Sequence, residues 1–308
     1  SPDGEEFLGY ARQVIEQANL IEERYFGAVP QKRQFCVSTQ HYSFAVEAFV
    51  DLIREYGGEE YDFRIRETQT YELIEDVAKL RSEVGVLYLN RFNETVIRKT
   101  LREHDLKFTR LFMAKPHVFI GAANPLASRS SITLSDLEPY PRLSYEQGEH
   151  NSFYFSEEIL STLDSRKDIL VSDRATLFNL LIGLNGYTIC SGVINEELNG
   201  PNIVAIPLDV DDYMEIGYIT HNRVTPGRFA GLYIEALKRR VGVPVPKVST
   251  REQLLFYNVF LDNFDKKIAI FSFNYYNKKR HPVSSINLPD VFMRENQERS
   301  EHNGKPES

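Results

Sequence analysis

Apolar residues Phe7, Ala11, Val14, Ala18, Ile21 and Tyr25 recur at spacings of four and three through residues 5 to 26. This is a heptad seam along one helical face, flanked by Glu16, Glu22, Glu23 and Arg24 and closed by Gly27 and Pro30. Such a seam either lies on the helix's own domain or pairs with the same helix of a second copy. From residue 33 the period changes. Phe35 and Val37 open an apolar strand, and Ala45, Ala48, Phe49, Leu52, Ile53 and Tyr56 then share a helical face closed by Gly57-Gly58. Tyr61, Phe63 and Ile65 alternate with Asp62, Arg64 and Arg66 as a half-buried strand. A helix over about 70–82 (Leu73, Ile74, Val77, Leu80) and an apolar strand at 84–89 complete a β-α-β-α-β order, which predicts a parallel sheet flanked by helices.

A third helix (Val96, Ile97, Leu101) leads to extended segments at 106–113 and 117–121, after which the order restarts. The spacing predicts a short helix at Leu134 and Leu137, a strand at 142–145, a helix near 153–163, a strand at 169–171, a helix at 174–184 and a strand at 187–190. A strand at 214–220 and a helix at 229–241 return the chain to the first lobe, and the two crossings form a hinge. The expected architecture is α/β with two lobes. A linker helix occupies residues 1–30, lobe I residues 31–115 and 219–242, and lobe II residues 116–218. Residues 243–308 form an extension of unassigned role, polar and expected to be disordered over 294–308.

A chain of 308 residues that is 42% hydrophobic and 26% charged excludes a mainly disordered state and is long enough for two cores. Cys36 and Cys190 lie in apolar stretches and read as small buried hydrophobes, which suits a reducing compartment. No run reaches the roughly 18 apolar residues of a membrane span, and the acidic start Ser1-Pro2-Asp3-Gly4-Glu5-Glu6 is unlike a signal peptide. A cytoplasmic location with no membrane partner is the expectation, and with Ser1 in place of an initiator Met, residues upstream are expected. Residues 243–308 carry ten Lys/Arg and eight Asp/Glu, so the net charge of −8 becomes −10 over residues 1–242. An acidic body is a poor nucleic-acid surface.

Glycine-rich phosphate loops, nucleophile elbows, C-x-x-C and H-E-x-x-H are all absent, so no catalytic residues and no cofactor are assigned. The seven histidines are never within five residues of one another, and no metal is expected. Two polar strand-to-helix turns stand out: Ser38, Thr39, His41 and Ser43 after the first strand, and Thr68 and Thr70 after the second. In a parallel sheet such turns gather at the carboxyl ends of the strands, where helix N-termini hold small polar or anionic ligands. Capping of the helices by Ser43 and Thr70 is the alternative reading. Tyr88 and Asn90 follow the third strand, and Tyr145, Asp173 and Arg174 occupy matching strand ends in the second lobe. Arg174 suits a carboxylate or phosphate because its fork is planar, although a plain first-turn role fits as well. Glu146 and Asp173 are the evident carboxylates, too few for an enzyme mechanism.

The order of several short segments resembles the LysR-type transcriptional regulators, from their linker helix through their effector-binding domain. Ala11-Arg12-Gln13-Val14 and Ile21-Glu22-Glu23 are similar to the dimerising linker, Phe35-Cys36-Val37-Ser38-Thr39 to the first regulatory strand, and Gln69-Thr70-Tyr71-Glu72-Leu73-Ile74 with the 84–89 strand to the second helix and third strand. Asn124-Pro125-Leu126-Ala127, Leu134-Ser135-Asp136-Leu137 and residues 183–189 resemble further family segments. The strand at 84–89 lacks the family's usual Asp, and residues 243–308 have no counterpart. The resemblance implies a type 2 periplasmic-binding-protein fold behind a long dimerisation helix and a small-molecule effector between the lobes. It further implies a homodimer or homotetramer, and DNA contact only through an N-terminal winged helix-turn-helix missing from this chain. An effector-sensing, dimerising regulatory domain of a transcription factor is the leading expectation. A solute-binding transport protein of the same fold is the runner-up, and it has no use for the heptad helix.

Overall fold

The structure is a computed structural model. It describes residues 33–194 and 199–243, with helical positions at Gly4, Phe7, Tyr10, Ala11, Val14, Ile15 and Ala18. The seam residues Ile21 and Tyr25 and the proposed extension beyond residue 243 lie outside the described residues. The chain divides into Ser1–Val245 and Pro246–Ser308, and all the described residues belong to the first unit.

Its architecture is mixed α/β with two five-stranded sheets. In chain order, β1 (Arg33–Thr39), α1 (Ser43–Tyr56), β2 (Tyr61–Glu67), α2 (Thr70–Ala78), β3 (Val84–Leu89), α3 (Glu94–Glu103) and β4 (Leu106–Ala114) form most of the first lobe. The chain crosses to the second sheet through Lys115 and Pro116. There β5 (His117–Gly121), the one-turn α4 (Leu134–Leu137), β6 (Arg142–Tyr145), β7 (Asp168–Val171), α5 (Arg174–Gly183), β8 (Tyr187–Cys190) and β9 (Ile203–Pro207) follow. Then β10 (Met214–His221) and α6 (Arg228–Arg240) return to the first sheet. The whole of β10 pairs there, so the return crossing precedes Met214, in keeping with a returning strand at 214–220 and ahead of the lobe boundary set at 218/219.

The first sheet has the order β2-β1-β3-β10-β4. Its β1 runs parallel to β2 and β3, with Val37 beside both Ile65 and Val84. Because β10 enters from the second lobe, it runs antiparallel to β3 and to β4, and the sheet is mixed rather than parallel. The second sheet, β7-β6-β8-β5-β9, repeats the arrangement, with β6 parallel to β7 and β8, and β5 antiparallel to β8 and β9. The segments at 106–114 and 117–121 are consecutive strands that belong to different sheets.

Residues Val84 to Leu89 are buried without exception, which marks β3 as a central strand covered on both faces. Val84, Val86 and Tyr88 face the core built with α1 and α6, whereas Leu87 and Leu89 pack with Leu73, Ile74 and Val77 of α2 and Ile97 and Leu101 of α3. The period of two thus distributes one strand's side chains between two helical layers. On α1, Ala45, Ala48 and Leu52 are fully buried, as the spacing predicts. The Tyr233 hydroxyl of α6 donates to the Ala45 carbonyl at 3.0 Å, so the polar end of a buried ring is satisfied inside this core.

The helix expected near 153–163 does not form. Short 3-10 turns occupy Gly148–His150 and Phe153–Phe155, followed by an irregular turn in which Leu160 has φ 59°. Glu157, Glu158 and Ile159 are all buried. Three consecutive buried residues sweep about 200° around a helix, which one packing face cannot cover, whereas an irregular turn aims each side chain separately. Truncating Leu52 to Ala at the α1–sheet interface is expected to lower the unfolding free energy by about 2–5 kcal/mol, measured by urea denaturation against the native chain.

Candidate functional site

The N-termini of α1 and α2 open toward the second lobe. Their N-cap residues are Tyr42 and Gln69, and neither side chain caps its helix. Ser43 and Thr70 lie one residue inside, and their hydroxyls are used elsewhere: Ser43 Oγ donates to the Val193 carbonyl at 3.3 Å, and Thr70 Oγ1 accepts from Gln40 Nε2 at 2.6 Å. The capping alternative therefore does not account for these hydroxyls. Helix N-termini carry free N–H groups and partial positive charge, and acceptors from across the cleft meet them here. Glu157 Oε2 accepts from the His41 N–H at 2.9 Å, just ahead of α1. Gln147 Oε1 accepts from the Thr70 N–H at 3.0 Å, on the first turn of α2. Gln147 Nε2 donates to Glu157 Oε1 at 3.3 Å and so links the two contacts.

The His41 Nδ1 lies 2.9 and 3.0 Å from the two Glu157 oxygens, and the imidazole stacks on Tyr145 at 3.8 Å between centroids and 5° between planes. Burial alone would lower the imidazole's pKa. The adjoining Glu157 carboxylate overrides it, and His41 is raised above the ordinary histidine value. The same segment holds the first lobe at two further stacks: His150 on Tyr71 at 3.6 Å, and Tyr154 on Phe92 at 4.7 Å. Gly148, at φ +55°, lies so close to the Gln69 amide that a Cβ would clash with its oxygen. Tyr88 donates its hydroxyl to the Ser156 carbonyl at 3.1 Å, and Arg174 pairs with Glu67 at 3.2 Å. These contacts join the lobes across the cleft.

Between the sheets they leave a small cavity open to solvent. Of the residues singled out from the sequence, His41, Ser43, Tyr145 and Arg174 line it. Thr70, Thr39 and Tyr88 stand behind them around Gln40, whose Oε1 accepts from the Tyr42 hydroxyl and the Tyr88 N–H, both at 3.1 Å, while Thr39 Oγ1 donates to the Gln40 carbonyl at 2.7 Å. Ser38 turns to a separate buried cluster and donates to Asp76 Oδ2 at 2.7 Å. Thr68 donates to Glu72, Asn90 closes a turn by accepting from the Phe92 and Asn93 N–H groups, and Asp173 caps α5 through the Thr176 N–H.

The sequence reading missed the acids. Glu146 and Asp173 are exposed, and the carboxylates in the cavity wall are Glu157 and Glu158, 6% and 5% exposed. Their only local signal is an adjacent acid pair after the aromatic run Phe153-Tyr154-Phe155. Phe119, Phe178, Thr188 and Ser191 also line the cavity and were likewise unassigned. Burial, reinforced by the neighbouring Glu157 charge, pushes the Glu158 carboxyl up to about 8. Among the described residues no cluster of His, Cys, Asp and Glu could hold a metal ion.

The LysR substrate binding domain family matches residues 35–242. The chain belongs to this family. A single-residue variant of full-length OxyR from Pseudomonas aeruginosa shares the fold with TM-score 0.51 at 17% identity, over 77% of this chain and 76% of that one. HinK, a LysR family transcriptional regulator from Pseudomonas aeruginosa, is similar at 15% identity and TM-score 0.46, covering 78% of this chain and 81% of its own. The effector binding domain of QuiR in complex with shikimate is similar at 14% identity and TM-score 0.45, covering 68% of this chain and 97% of that one. No curated protein sequence matches the chain. It is a regulatory effector-binding domain of the LysR type, and the transport reading falls. LysR regulators bind small-molecule effectors and act as DNA-binding oligomers, and their regulatory domains are non-enzymatic. No helix among the described residues is long and apolar enough to cross a membrane.

In this LysR domain, Glu158 and His41 both bind protons more tightly folded than unfolded. Glu158 ionises near its ordinary value once unfolded, so its contribution to stability falls as pH rises from about 4.5 to about 8. His41 adds a loss in the same direction as pH rises through its raised pKa. The thermal midpoint is expected to fall between pH 6 and pH 9. In Glu158→Gln the slope becomes shallower, which calorimetric scans across that range would measure; an unchanged slope would place the titrating group elsewhere.

Proposed function

We propose that this domain senses a small metabolite held in the cavity between its two sheets and transmits occupancy by shifting how the lobes close. The closure joining Glu157, His41 and Gln147 carries this reading, because it places the helix N-termini of one lobe against acceptors from the other. Any ligand entering the cavity competes with or reinforces those contacts, and its differential affinity for open and closed arrangements sets the response. His41, Ser43, Tyr145 and Arg174, with Glu158, Thr188 and Ser191, are the side chains assigned to the ligand. No catalytic role is assigned.

Transmission requires paired subunits. The helical positions Phe7 and Val14 are 70% and 69% exposed, which leaves the seam predicted from the heptad spacing open to a second copy. Tyr10 contacts the body edge-on at the His221 ring, 6.4 Å between centroids. A homodimer or homotetramer assembled through Phe7, Ala11, Val14, Ala18, Ile21 and Tyr25, acting in the cytoplasm, follows from that reading. DNA contact falls to the winged helix-turn-helix domain of the full-length regulator.

A thermal-shift screen of the chain against cytoplasmic metabolites tests the sensing role. A ligand at about 100 times its Kd raises stability by roughly 2.7 kcal/mol. A hit recovered chemically unchanged supports sensing, conversion of the hit establishes an enzyme, and no hit overturns the cavity assignment. For the assembly, Val14→Glu is expected to shift the mass found by light scattering toward the monomer, and unchanged mass would place the interface elsewhere.

A further inference from the structure

Of the two carboxyls that line the cavity, only Glu157 has a cation beside it among the described residues. Among the described residues two cations reach it, and each is already paired: His41 with Glu157, and Arg174 with Glu67. Glu157 is further met by the His41 N–H and the Gln147 amide. Glu158 is the remainder. Its side chain is buried in the same wall, its Oε1 accepts from the Tyr145 N–H at 2.9 Å, and no Lys, Arg or His among the described residues pairs with it. An acid buried without a counter-cation keeps its proton or acquires a partner. The same cavity is walled by the aromatic rings of Tyr42, Phe119, Tyr145 and Phe178, whose faces attract a desolvated cation.

Building on the effector-binding reading above, we propose that the cavity takes an organic cation, a protonated amine on an apolar or aromatic body, whose ammonium pairs with Glu158. An anionic effector meets the opposite situation. The donors suited to it at the start of α1 are occupied by Glu157, and that carboxylate faces it in a medium that screens charge poorly. Arg174 is turned to Glu67. Binding of an ammonium exchanges the Glu158 proton for the ligand charge: the carboxylic O–H bond breaks, the carboxylate accepts the ammonium N–H, and the proton passes to solvent. The titratable groups facing Glu158 are Glu157, His41, Tyr42, Tyr88, Tyr145 and Cys190, and burial raises the three phenols and the Cys190 thiol, which keeps them neutral at pH 7.

Three probes with one aromatic body separate the charge requirement from shape: phenethylamine, 2-phenylethanol and phenylacetate. Titration calorimetry of the whole chain at pH 7, in two buffers of different ionisation enthalpy, reads affinity and proton release together. The amine is expected to bind at least tenfold more tightly than the alcohol or the carboxylate and to release a fraction of a proton on binding. Glu158→Gln is expected to weaken the amine at least tenfold and abolish the proton release. The comparison of the three probes on the native chain needs no variant and stands if Glu158→Gln fails to fold. Tighter binding of phenylacetate or 2-phenylethanol overturns the cation assignment and leaves the effector cavity standing. Equal binding of the amine by Glu158→Gln also overturns it. No binding of any probe overturns it too, and that result together with an empty metabolite screen overturns the cavity reading itself.

Discussion

A carboxylate from one lobe, seated against the N-terminus of a helix in the other, sets the arrangement of this domain. Glu157 receives the His41 N–H and lies beside the His41 imidazole, where the α1 terminus concentrates unsatisfied donors. Once that contact is made, the surrounding geometry follows. Tyr145 lies flat on the imidazole, Gln147 reaches the start of α2, and Tyr88 meets the backbone at Ser156. The 153–163 segment remains irregular because it must deliver two acids and Ile159 inward in succession.

The scaffold brings the two sides of this contact together from two sheets. Each sheet has its own apolar layers, and one continuous core extends through both, from Val37, Ala48 and Leu52 of the first to Ile120, Ile132 and Ile189 of the second. The covalent connections are two short crossings, one at Lys115 and Pro116 and the other ahead of Met214. Side-chain contacts across the cleft are mainly polar or stacked rings, the kind that exchange partners with a ligand at modest cost. In the sensing role proposed above, occupancy is reported through which of these contacts persist.

The sequence by itself determined the framework. The apolar period in β1, α1, α2 and β3 reads directly as two helical layers over a buried central strand, because burial of a repeating face leaves a repeating pattern. Motif order identified the LysR family. Among the residues that line the cavity, His41, Ser43, Tyr145 and Arg174 were legible because strand-to-helix turns in such sheets lie at the cleft.

Only the tertiary structure decided which acids face the cavity. Glu157 and Glu158 belong to a non-repeating turn, where the direction of each side chain depends on partners such as the His41 and Tyr145 N–H groups, 116 and 13 residues away. The hydroxyls of Ser43 and Thr70 were visible in the sequence, but their partners, the Val193 carbonyl of the other lobe and Gln40 of the same one, were not, since local capping and distant pairing have the same sequence signature. Periodicity records which face of an element is buried; it carries no information about which polar groups meet between one sheet and the other.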